Sequence, residues 1–112
     1  MRAYKWLWIA GALLAIHAGC AALPQSFNQN LLVSYGTVTE VRRDAVLALN
    51  GHKITADDAQ NLQNLADEAR KGLDIARSLH AADPAAGQAK LDATRAALIA
   101  LQTYLATQEA KK

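Results

Sequence analysis

Two short signals, Asn50-Gly51 and Asp83-Pro84, divide the C-terminal three quarters of this chain into three segments of nearly equal length. Gly can adopt the left-handed conformation that closes a helix, so Asn50-Gly51 reads as a helix end with Gly51 at the turning position. Asp before Pro reads as a helix start, with the carboxylate capping free N–H groups and the ring at the first helical position. Thr55 is a third signal. It can cap the next helix, with Asp58 three residues on in the place of a capping-box Glu. Asp57 and Asp58 also suit the positive end of a helix, and His80 suits a negative end. The expected helices cover residues 26–50, 56–80 and 84–108.

Each segment carries apolar residues at helical spacing. The first has Leu31, Tyr35, Val38, Val41, Ala45 and Leu49. The second has Leu62, Leu65, Ala69, Leu73, Ala76 and Leu79. The third is the most regular, with Leu91, Thr94, Leu98, Leu101 and Leu105 at alternating steps of three and four, a coiled-coil-like seam. Asp67 with Lys71, Arg70 with Asp74 and Asp92 with Arg95 are spaced for local ion pairs on solvated faces. The chain holds 25 alanines. Alanine has the highest helix propensity, and its short side chain permits close helix approach. Gly36 and Gly72 interrupt two of the helices, each at a cost of about 1 kcal/mol against Ala. Close helix contact is the expected reason. Short loops require antiparallel neighbours, so the fold class is all-α, an up-down-up three-helix bundle over residues 26–112.

The N-terminus has a different character. Arg2 and Lys5 precede an apolar run from Trp6 to Ile16, and Ala18 and Gly19 stand before Cys20, the single cysteine. A basic start, an apolar stretch and small residues are the parts of an export signal. With one cysteine no intramolecular disulfide forms. Without residues 1–19, ten basic side chains face ten acidic ones. The net charge of +2 belongs to the signal, and the basic pI is no nucleic-acid footprint.

Ala18-Gly19-Cys20 resembles the last three positions of the lipobox of bacterial lipoprotein precursors, with His17 where that pattern usually carries Leu. The resemblance implies a signal peptide over residues 1–19, cleavage between Gly19 and Cys20, diacylglycerol on the Cys20 sulfur, and a tether over residues 20–25. It implies membrane lipid as a partner. Ala21, in place of the Asp that retains such proteins, implies the periplasmic face of the outer membrane. Residues 26–112 resemble, in general character only, small helical proteins of Gram-negative bacteria and their phages or prophages. That implies a non-enzymatic envelope module with a protein partner, such as a phage-encoded lipoprotein that blocks a receptor or excludes superinfection. Two other N-terminal readings stay open. Cleavage after Ala21 or Ala22 gives a soluble periplasmic protein. An uncut residue 6–23 segment is about the minimum length for a membrane span, with Arg2 and Lys5 holding its start in the cytoplasm of the inner membrane.

Catalytic patterns are not apparent. His52 and His80 fall near opposite ends of the expected bundle, roughly 35 Å apart, and zinc-ligand spacing is absent. No nucleophile-elbow or phosphate-loop motif occurs. Ser26, Ser34 and Ser78 have no nearby acid and base. The expectation is no catalytic residues, no metal, no cofactor and no nucleic acid. Phe27, Tyr35 and Tyr104 read as packing residues, with a small ligand pocket as the alternative. The amides Gln25, Asn28, Gln29, Asn30, Gln60, Asn61, Gln63 and Asn64 read as solvated faces. Cys20 and Ser26 are about six residues apart, at most roughly 20 Å of extended chain, so a lipidated Cys20 places the bundle close to the bilayer. Lys53, Lys111 and Lys112 then form a basic tip at the far end, a candidate contact with a partner or the cell wall. A self-associating structural protein, using the third seam or the Ala-rich faces, is the alternative from another class.

Overall fold

A computed structural model describes residues 26–111. Three helices account for nearly all of it: α1 (Phe27–Asn50), α2 (Ala56–Ala82) and α3 (Pro84–Glu109). Each packs against both of the others. Contacts run in opposite directions along successive helices. On α1 and α2, Tyr35 meets Asp74 and Arg42 meets Asp67. On α2 and α3, Gly72 lies against Thr94 and His80 against Gly87. The expected all-α three-helix bundle is the observed fold.

The ends are set by the residues that punctuate the sequence. Ser26 lies just outside α1 as its cap. Its hydroxyl accepts from the Gln29 N–H at 3.1 Å while the Gln29 side chain accepts from the Ser26 N–H at 3.1 Å. This reciprocal box satisfies two otherwise free donors. Thr55 accepts from the Asp58 N–H at 3.1 Å. Asp83 serves two helices at once. Its N–H donates to the Leu79 carbonyl at 2.7 Å, closing α2, and its carboxylate accepts from the Ala86 N–H at 3.2 Å, opening α3. One residue therefore makes the whole reversal, and α2 runs two residues further than the spacing indicates.

The first turn differs from expectation by one position. Gly51 has φ −84°, and His52, at φ 57°, takes the left-handed conformation instead. The Lys53 N–H reaches the Ala48 carbonyl at 2.8 Å and the His52 N–H reaches Leu49 at 3.1 Å, the bonding of a Schellman ending. Turning one residue later carries Ile54 into the core, where it is 8% exposed. Burying an Ile contributes about 1.5–3 kcal/mol, enough to offset the 1–2 kcal/mol that a left-handed L-residue costs, roughly. His52→Gly removes that strain and is expected to raise stability by about 1 kcal/mol. A urea titration that finds no gain would show that the His52 side chain contributes something of its own at this turn.

The core is thin and continuous. Val41, Ala45, Ala48, Ala66, Leu73, Ala76 and Leu91 are fully buried and Leu98 nearly so. Leu65 and Leu79, expected in the core, instead lie at its edge at 44% and 38% exposed. Their helix turns Ala66, Ala69 and Ala76 inward. Of the two interrupting glycines, only Gly72 marks a close approach. A Cβ there would lie 2.7 Å from Thr94 Oγ1, whereas one at Gly36 meets nothing within 4 Å. The tightest of the glycines is Gly87. A Cβ there would lie 2.5 Å from His80 Cα.

Candidate interaction surface

The residues to which the sequence points are dispersed. Cys20 and Gly19 lie outside the described residues, as does Lys112. Lys53, in the α1–α2 turn, donates through Nζ to the Lys111 carbonyl after α3, so these two lysines do share one end of the bundle. His52 lies at that end too. His80 lies at the opposite end, its ring stacked on Phe27 with centroids 3.8 Å apart and planes 9° from parallel. The two histidines are thus separated as expected. Among the described residues no three His, Cys, Asp or Glu side chains gather where they could hold a metal ion.

The polar side chains have structural partners. Buried Ser34 donates to the Asn30 carbonyl at 2.7 Å, and buried Thr94 to the Lys90 carbonyl at 2.9 Å. Among the described residues no buried side-chain nitrogen or oxygen lacks a partner. Four of the amides make similar contacts. Gln29 closes the cap of α1, Gln60 donates to Asn64 at 3.1 Å, and Gln63 reaches across to the Arg42 carbonyl at 3.1 Å.

A ladder of polar contacts joins α1 to α2. Tyr35 donates its hydroxyl hydrogen bond to Asp74, and Arg42 pairs with Asp67. These contacts replace the expected local ion pairs. Asp67 is taken by Arg42, Asp74 by Tyr35, and Asp92 by Gln88 at 2.9 Å. An exposed i,i+4 pair is worth only a few tenths of a kcal/mol, so at Asp67 and Asp74 a cross-helix partner that also fixes packing displaces it, whereas Asp92 is held by Gln88 of its own helix. The Arg42 and Asp67 side chains are 37% and 51% exposed, so their pair aligns the helices more than it stabilises them.

Burial, then the hydrogen bond to Asp74 and the charge of that carboxylate, hold the Tyr35 hydroxyl above its ordinary value of 10.0, while Arg77 and Arg70 pull it down. A folded value above the unfolded one favours the protonated phenol. The stabilisation is complete below the unfolded value and is lost as pH rises through the folded one. The thermal midpoint is therefore expected to fall more steeply above about pH 10 in the native chain than in Tyr35→Phe, which has no phenol to ionise there. Parallel midpoint curves for the two proteins would refute this.

An open apolar surface lies between α2 and α3. Leu65, Ala97, Ala100 and Leu101 line two adjoining grooves there, of about 430 and 320 Å³. Glu68 and Lys90 flank one, and Asp58, Asn61 and Tyr104 flank the other. Tyr104 is 38% exposed. It borders this groove, whereas Tyr35 belongs to the polar ladder on the α1–α2 side, beside a cleft lined by Val38, Thr39, Arg42 and Arg70. The two tyrosines therefore do not define one ligand pocket. Among the described residues no helix is long and apolar enough to cross a membrane. Comparison with protein families, with characterised proteins and with solved structures finds no match to this chain.

Proposed function

We propose that the chain is an exported lipoprotein, tethered through Cys20 to the periplasmic face of the outer membrane, and that its bundle is a non-enzymatic interaction module of the envelope. The observation that carries this reading is the order Arg2, Lys5, an apolar run, then Ala18-Gly19-Cys20, ending six residues before the cap of α1. The bundle supports it in a different way. Its polar groups close caps, helix backbones and a cross-helix ladder, and an apolar groove lies open between α2 and α3. That is the chemistry of a surface that binds another surface.

The intact mass of the protein from membranes tests the reading, with and without an inhibitor of lipoprotein signal peptidase. The expected species begins at Cys20 and carries diacylglycerol and a further acyl group. Under inhibitor it becomes an uncut, lipidated precursor. Cys20→Ser is expected to remove all of the acyl mass, since the chain has no other thiol. An unmodified full-length mass would replace the reading with an uncut anchor. A start at Ala22 or Leu23 would replace it with a soluble periplasmic protein.

A further inference from the structure

The α2–α3 groove continues along the bundle in a regular pattern. On α2, Leu65, Glu68, Gly72, Ile75 and Leu79 follow one another at alternating steps of three and four. On α3, Ala86, Lys90, Ala93, Ala97, Ala100 and Tyr104 do the same. These two rows lie beside the buried rows of the same helices. Leu65, Ile75, Leu79 and Tyr104 on them are 38–49% exposed. A three-helix bundle needs one seam per helix. A second seam in heptad register is the pattern of a helix that packs against a further helix layer.

We propose that this face pairs with a second copy of the chain, side by side and in the same direction, giving a four-helix layer of α2 and α3 from each copy. The proposal rests on the lipoprotein reading for its orientation. A tether of about six residues spans at most roughly 20 Å, so every anchored copy stands with the α2–α3 turn towards the membrane. Only a parallel, lateral approach is open to such copies, and confinement to one leaflet raises their effective concentration.

Side-chain size fits that arrangement. A two-fold axis along the groove sets α2 of one copy against α3 of the other at equal height. Leu79 then faces Ala86 and Leu65 faces Ala100, while Gly72 between them is already buried against Thr94 of its own α3. Large residues on one helix meet small ones on the other, as interdigitated layers require. Glu68 faces Ala97 and Lys90 faces Ile75, so no like charges meet.

Cross-linking of the full chain in its membrane tests the proposal. Thr107 is exposed and lies one step beyond Tyr104 on the same row. In the parallel pair the two copies of residue 107 sit at one height, across the diagonal of a four-helix layer, roughly 12–14 Å apart for helices packed at 8–10 Å. An antiparallel pair would hold them roughly 35–40 Å apart at 1.5 Å per residue. Thr107→Cys with a bis-maleimide linker is expected to give a dimer band, and Glu40→Cys, on an exposed position of α1, is expected to give none. Adding Ala97→Glu to Thr107→Cys should lower the dimer band roughly tenfold or more, because the new carboxylate would face Glu68 of the other copy. Its circular-dichroism melt should stay unchanged, because Ala97 is exposed in the single bundle. A membrane-bound Thr107→Cys chain that stays monomeric would overturn the pairing and leave the lipoprotein reading intact. Loss of the chain from the membrane fraction would overturn the lipoprotein reading, and the cross-link would then still decide whether the face pairs.

Discussion

Gly87→Ala is expected to destabilise the bundle by about 2–4 kcal/mol, although alanine is the better helix former. The added Cβ would lie 2.5 Å from both Cα and Cβ of His80 and 2.6 Å from its N. Backbone atoms cannot rotate away, so α2 and α3 must part at their joining end. The single-residue turn at Asp83 leaves no slack for that movement, and the Phe27–His80 stack lies directly beside it. For a bundle of this size one kcal/mol corresponds to about 4–8 °C in midpoint, so a fall of some 10–25 °C is expected by thermal melt. Gly36→Ala supplies the contrast. That position is exposed and a Cβ there meets nothing within 4 Å, so the helix-propensity gain of about 0.8–1 kcal/mol should appear as a rise. Two identical substitutions with opposite signs would separate helix propensity from helix contact. A rise at both positions would show that α2 and α3 do not approach as closely as this structure has them.

Leu98→Ala is expected to cost about 3 kcal/mol, within the 2–5 kcal/mol range for buried Leu truncations. Leu98 is 1% exposed at the centre of the α3 seam, between the buried residues Leu91 and Leu105. Collapse around the cavity is restricted, because many of the buried core residues are alanines, such as Ala45, Ala66 and Ala69, which have no rotamers with which to refill space. A small domain has only roughly 0.05–0.15 kcal/mol of stability per residue, so this one change removes a large share of the total. Urea titration should show a lower midpoint with an unchanged slope. Leu65→Ala, at 44% exposed, should cost about 1 kcal/mol or less. Equal losses at the two positions would contradict the inward assignment of the Leu91–Leu98–Leu105 row.

The sequence by itself determined the number of helices and, to within two residues, where each begins and ends. Thr55, Asp83 and Pro84 act within a few residues of themselves, and local hydrogen bonding is legible from local sequence. The Ser26–Gln29 box is equally local, although apolar spacing alone does not reveal that Ser26 is the cap and not the first helical residue. The Leu91–Leu105 seam was readable because heptad spacing reports burial when one stripe dominates.

Tertiary structure alone decided the rest, wherever two elements compete for the same residue. Leu65 and Leu79 satisfy the helical period as well as Leu62 and Leu73 do, and only the position of α3 leaves the first pair at the edge. Asp67, Asp74 and Asp92 each had a neighbour at pairing distance in sequence. Arg42 and Tyr35 from another helix claimed two of them. Gly36 and Gly87 look alike in sequence, yet one faces open space and the other a backbone. His52 took the left-handed turn in place of Gly51 because Ile54 had to reach the core. Local signals fix where a helix begins and ends, since their partners lie within one turn. Which face is covered depends on residues 20 to 60 positions away, and that information exists only once the helices have packed.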